Sequence, residues 1–80
     1  MENKEKEYAK LPLSVRNKNI QNIAVIINTL DAVLFPNIIK ICEADLDRFK
    51  FINTVQRELG GESIDKESIY KFCVAFEQNI

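Results

Sequence analysis

The side chains that could carry out chemistry are few in this sequence, and the most versatile of them is missing. The chain contains no histidine, so it lacks the commonest general base, the commonest metal ligand and the usual activator of a serine or cysteine nucleophile. Its two cysteines, Cys42 and Cys73, are too few for the four ligands of a structural zinc site. Both fall on apolar helical stripes, which predicts small buried thiols. We therefore expect no catalytic residue, no metal site and no cofactor, and we interpret the protein as a non-enzyme.

A cluster of carboxylates occurs in the middle of the chain, where residues 43–47 read EADLD. Paired carboxylates can bind a divalent cation, but this segment lacks the ligand spacing, central glycine and closing glutamate of an EF-hand loop. We interpret Glu43, Asp45 and Asp47 as a solvated helix face or as the cap of a new helix.

A further candidate is the segment LGGES at residues 59–63, which Ile64 follows. It resembles the phosphopantetheine attachment motif of acyl and peptidyl carrier proteins, in which a serine follows an LGG-type turn and opens a helix. The resemblance implies a prosthetic arm on Ser63. The sequence departs from that family because Glu62 stands in place of the usual Asp or His and because only a short segment follows the serine. A Gly-Gly helix stop and a polar loop explain the same letters, and we adopt that interpretation.

The elements that would position these residues are predicted to be helices. A first helix is expected over about residues 15–34, with Ser14 as its N-cap and Phe35-Pro36 as its end. Pro36 suits the first turn of the next helix. Residues 1–13 show no apolar period and are predicted to be a disordered tail, which leaves 14–80 as one helical-bundle domain. The first helix has apolar residues at intervals of three and four, with Ile26 and Val33 widening the stripe, namely Ile20, Ile23, Ile27, Leu30 and Leu34.

Two more periodic segments follow. Residues 36–59 form one long helix, or two if the chain breaks near 44–47, and Gly60 is expected to end the segment in left-handed geometry. A last helix over about 66–78 is predicted to begin at the N-cap Asp65. The fold class is therefore all-α, a compact bundle of three helices or of four. The predicted core stripes are Ile38, Ile41, Cys42, Leu46, Phe49, Ile52, Val55 and Leu59 in the middle segment and Ile69, Phe72, Cys73 and Phe76 in the last.

Several apolar side chains lie outside these predicted stripes. A three-helix monomer buries one stripe per helix, so the surplus predicts contact with a second copy of the chain or with another protein. The alternative is that single exposed apolar residues are ordinary and need no partner. A membrane partner is not expected, since Asn28, Asp31 and Pro36 interrupt the apolar run at 23–39. The predicted contact residues are Val25, Phe51, Tyr70 and Val74.

The charge balance and the cysteine count limit the possible functions. A formal charge of −1, from 11 basic and 12 acidic residues, offers no general attraction to nucleic acid or to anionic membranes. Two cysteines are typical of a reduced cytoplasmic protein, with a single disulfide as the alternative. The abundance of Ile, Asn and Lys is compatible with an AT-rich genome such as that of a phage or mobile element.

These observations predict a small cytoplasmic helical protein that acts as a regulator, adaptor or inhibitor through protein contacts and self-associates as a homodimer. No small-molecule substrate is inferred. The alternative is a helix-turn-helix-like DNA-binding transcriptional regulator, because residues 48–78 form a helix, a glycine turn and a second helix. That second helix carries only two cations, Lys66 and Lys71, so nucleic acid is the less expected partner.

Overall fold

The computed structural model describes residues 9–61 and 64–80, and these ranges contain helices and no strand. Four helices lie entirely within the described ranges, namely α1 (Leu13–Thr29), α2 (Pro36–Ile41), α3 (Asp45–Leu59) and α4 (Lys66–Gln78). The all-α prediction is confirmed, in its four-helix form. Residues 1–8 of the predicted tail and the carrier-like Glu62 and Ser63 lie outside the described residues. The division into a tail and one domain stays a prediction.

The first helix is shorter than the sequence predicts. It begins at Leu13 after Pro12, so Ser14 lies inside the first turn and no side chain caps the start. It ends at Thr29, because the Asp31 carboxylate accepts hydrogen bonds from the backbone N–H groups of Val33 (2.6 Å) and Leu34 (3.3 Å). Such a bond stabilises a local turn in competition with the helix. The prediction that the helix reaches Leu34 is wrong, and Val33 and Leu34, which were assigned to its apolar stripe, are 86% and 63% exposed.

The middle segment consists of two helices, separated at residues 42–44. Pro36 occupies the first turn of α2, as predicted. Ala44 precedes α3, and no side chain caps that start. Asp45 instead pairs with Arg48 at 2.8 Å on the exposed surface. Gly60 ends α3 with φ of 60°, which confirms the predicted left-handed stop.

The buried face of α3 differs from the predicted one. Leu46 and Phe49 were expected in the core, yet they are 66% and 50% exposed, whereas Phe51 is 5% exposed. The ring of Phe51 instead meets Phe72 and Phe76 of α4, with centroids 6.4 and 5.0 Å apart. The prediction that Phe51 lies outside the core is therefore wrong. The cause is tertiary packing, because the aromatic rings of α4 face that side of α3.

The core lies between α1, α3 and α4, with α2 closing one end. Helix α4 spans the predicted residues and buries Ile69 and Cys73 completely. Two polar side chains are also buried. Asn19 of α1 donates a hydrogen bond from Nδ2 to the Gly61 carbonyl at 3.2 Å, which ties α1 to the turn after α3. The apolar core consists of Ile23, Ile27, Leu30, Phe35, Ile38, Phe51, Ile52, Val55, Ile64, Ile69 and Cys73.

Candidate functional site

An open groove runs between α4 and the corner that joins α1 to α2. We call it the α4 groove, and it encloses about 420 Å³ of space including the solvent at its mouth. Its walls are mainly apolar, and its polar groups lie at the end of α4. A groove of this shape can receive one or two apolar side chains of a partner but does not enclose a substrate. It is lined by Leu34, Phe35, Tyr70, Val74, Glu77 and Gln78.

The corner that forms one wall of the α4 groove follows from the turn at Asp31. Because α1 ends early, Leu34 projects into solvent while the next residue, Phe35, is only 3% exposed. The Phe35 ring packs edge-on against Tyr70, with centroids 5.6 Å apart and planes at 76°. That arrangement is a favourable aromatic geometry. It holds Tyr70 in place while leaving 46% of the residue exposed.

The base of the α4 groove is fixed by a carboxylate that caps a distant helix. Glu77 Oε2 accepts hydrogen bonds from the Asn37 backbone N–H (3.3 Å) and side-chain Nδ2 (2.6 Å), and Oε1 accepts one from the Ile38 N–H (3.1 Å). These donors belong to the first turn of α2, whose own N-cap Phe35 supplies no side-chain cap. Partial burial raises the pKa of Glu77, but the hydrogen bonds from Ile38 and Asn37 outweigh it and hold that pKa below its usual value. The ionised carboxylate thus joins α2 to α4.

The four predicted contact residues have three different positions. Tyr70 and Val74 lie together in the α4 groove. Phe51 is buried in the core, so it offers no surface to a partner. Val25 is 53% exposed on α1 and does not line the α4 groove. Its role as a contact residue stays a prediction.

Sequence reasoning missed four residues of the α4 groove, Leu34, Phe35, Glu77 and Gln78. Leu34 was assigned to the core stripe of an overlong first helix, and the signal that could have corrected this is Asp31, a residue that favours turns. Glu77 carries no local signal, because the N–H groups that it caps lie about 40 residues earlier in the chain.

A second cleft lies between α1 and the start of α3. It brings together apolar groups of Ala24, Phe49 and Ile52 with the polar side chains of Asn28 and Arg48. The Arg48 guanidinium is already paired with Asp45. Among the described residues, no three metal-binding side chains converge, either here or elsewhere.

The two thiols are free, and burial governs their chemistry. Burial, and to a smaller extent the neighbouring Cys42, raises the pKa of Cys73 to about 11. Burial also raises the pKa of Cys42, against the opposing effect of Arg48. Because the thiolate is the reactive form, these shifts make both groups poor nucleophiles at neutral pH.

The helix-turn-helix outline is present in α3, Gly60 and α4, but the surface of α4 is not basic. Lys71 pairs with Glu67 at 3.2 Å on the exposed side of that helix. Phosphate contacts normally require an excess of cations. No helix in the described ranges is both long and apolar enough to cross a membrane.

Comparisons with known proteins identify no relative of this chain. No family model matches the chain, and neither the characterised proteins nor the solved structures contain a chain with significant similarity.

Proposed function

We propose that this chain is a small non-enzymatic interaction protein that acts as a regulator, adaptor or inhibitor by binding a protein surface in the α4 groove. The observation that carries the proposal is the groove itself, with Leu34 63% and Tyr70 46% exposed at its edges. Apolar side chains that gather around a concave surface are typical of protein contact sites. Tyrosine is especially common in such contacts, because a rigid ring combines a large apolar area with a polar hydroxyl.

The construction of the α4 groove supports binding by insertion of apolar side chains. One wall is a helix and the other is a short corner, an arrangement that suits an amphipathic helix of a partner. Glu77 and Gln78 supply polar groups at one end, where they can orient a partner without filling the apolar part. The Phe35 ring, packed on Tyr70, and the Glu77 cap on α2 fix the two walls of the α4 groove in the free protein. Because the walls are already ordered, less conformational entropy is lost when a partner binds.

The proposal also includes the cellular compartment in which the protein acts. Two free thiols and a low cysteine content support a reducing, cytoplasmic compartment. An origin in a phage or mobile element stays a prediction from composition.

The test is a selection of helical peptides that bind the α4 groove. A displayed library of amphipathic peptides of about 20 residues, long enough for several helical turns, is selected on the wild-type protein. Binding of enriched peptides is then mapped by NMR on isotope-labelled protein. We expect the shifted amide signals to belong to residues 33–38 and 70–78, and binding to be lost in Tyr70→Asp.

The matched control is Leu46→Asp, which introduces the same charge at an exposed apolar position near the start of α3, where an acidic residue is favourable for the helix. This variant should bind the peptides as the wild type does. If no peptide is enriched, or if the shifted signals map to the cleft between α1 and α3, the α4 groove is not the contact site and the proposal fails.

A further inference from the structure

We infer that the partner that the α4 groove fits is a second copy of this chain, packed with the two α4 helices antiparallel across a twofold axis. The inference rests on the proposed function, since it names the occupant of the same surface. A twofold contact brings the same patch from both copies together. In this arrangement the central contacts are Tyr70 and Val74 of each copy.

The distribution of charge along α4 favours the antiparallel arrangement. Lys66 lies one turn before Tyr70, and Glu77 lies one turn after Val74, on the same side of the helix. The charges between them, Glu67 and Lys71, already neutralise each other as an ion pair. An antiparallel pair therefore places Lys66 of each copy near Glu77 of the other, whereas a parallel pair would oppose like charges.

The net charge of the molecule also favours a second copy over a strongly charged partner. With a formal charge of −1, two copies repel each other very little, and a protein near neutrality associates readily. The contact is small, because a helix of 13 residues is about 20 Å long. It buries less than the roughly 800 Å² per partner of a standard interface, so we expect a weak dimer with a dissociation constant above about 1 μM.

The experiment is sedimentation equilibrium of the reduced protein, from about 10 μM to about 1 mM so that a weak dimer is populated. The apparent mass should rise with concentration from 9.2 kDa towards twice that value. Val74→Asp should remain a monomer throughout, and Leu46→Asp, at an exposed position of α3 outside the α4 groove, should behave as the wild type. Circular dichroism of each variant establishes that it is folded.

Lys66→Glu provides a second test that does not threaten folding, because an acidic residue at the start of a helix is favourable. It places like charges together at both ends of the antiparallel pair, so the dissociation constant should rise about tenfold. Lys50→Glu, an exposed change of the same kind on α3, should leave it unchanged. Added salt should weaken the wild-type dimer but not the Lys66→Glu dimer.

The outcomes separate this inference from the proposed function. A wild-type protein that stays monomeric, or a dimer that Val74→Asp or Lys66→Glu leaves intact, overturns the antiparallel α4 contact. If the monomer nevertheless binds selected peptides in the α4 groove, the proposed function stands without the second copy. If neither peptide nor second copy binds there, both fail.

Discussion

Helices α3 and α4 have similar lengths, 15 and 13 residues, yet only α4 packs with the face that its sequence predicts. In α4 the apolar residues other than Tyr70 and Val74 form one stripe, and the Asp65 carboxylate fixes the first turn by accepting a hydrogen bond from the Ser68 N–H at 2.7 Å. In α3 no side chain caps the start, and two overlapping stripes share Ile52 and Val55. When a capped helix has a single apolar stripe, its own sequence predicts which face is buried. When a helix has two overlapping stripes, the element that packs against it decides which of them is buried.

The largest expected effect tests which stripe of α3 is buried, by comparing two phenylalanines of that helix. Phe51→Ala should lower the free energy of unfolding by about 3–5 kcal/mol, because it removes a ring buried against α4. Phe49→Ala should lower it by less than about 1 kcal/mol, since that ring is largely hydrated in the folded state. Urea unfolding followed by circular dichroism measures both. Equal losses would mean that the two rings are equally buried, and a larger loss for Phe49→Ala would mean that α3 buries the other stripe.

A polar side chain inside the buried face of α3 provides the next test. Gln56 is completely buried, and neither its Oε1 nor its Nε2 has a hydrogen-bond partner in the described part of the chain. Gln56→Met keeps a similar shape and removes the unsatisfied amide, so it should raise the free energy of unfolding by about 1–3 kcal/mol.

Asn19 is the control for Gln56, because its buried amide does donate a hydrogen bond, to the Gly61 carbonyl. Asn19→Leu should therefore lower the free energy of unfolding in the same urea experiment. A loss of stability in Gln56→Met as well would show that the Gln56 amide is satisfied in solution.

These contrasts show which features could be predicted from sequence. The Pro36 start of α2, the Gly60 stop and the whole of α4 depend on short-range chemistry, and they were predicted. The early end of α1 was missed although its cause, Asp31, is local. The burial of Phe51 and the cap that Glu77 places on α2 arise only when distant segments meet, and the second wall of the α4 groove depends on that meeting. The groove could thus be predicted only in its α4 half, from Tyr70 and Val74.

The cap of α4 should have a smaller effect than the core changes. Asp65→Ala removes the acceptor for the Ser68 N–H, so it should lower the melting temperature by a few degrees. Asp65→Asn, which keeps an acceptor oxygen, should lower it less. Asp45→Ala at the start of α3 should have almost no effect, because its ion pair with Arg48 is exposed and caps no N–H. A large effect of Asp45→Ala would remove the difference between the two helix starts.

The smallest expected effect is a dependence of the free energy of unfolding on pH in the acid range, which arises from two carboxylates, one at each end of α4. The pKa of Asp65 lies below its ordinary 3.8 because the Ser68 N–H stabilises the carboxylate, and the pKa of Glu77 lies below its ordinary 4.5 because its hydrogen bonds outweigh its partial burial. In acid the unfolded chain therefore binds more protons than the folded one, so stability rises with pH in this window. The contribution is fully present above the ordinary pKa values and is lost as the pH falls through the lowered ones.

Glu77→Gln separates the two carboxylates in that titration. The variant removes the proton that Glu77 binds but keeps an oxygen that can still accept from α2, so part of the cap remains. Its urea midpoint, measured from about pH 7 down to about pH 2.5, should fall less steeply below 4.5, the ordinary Glu77 value, than the wild-type midpoint does. Asp65→Asn should instead flatten the curve only at lower pH, because the ordinary pKa of Asp65 is 3.8. Identical curves for Glu77→Gln and the wild type would mean that the ionised carboxylate does not hold α2 against α4, and the base of the α4 groove would then have to depend on apolar packing alone.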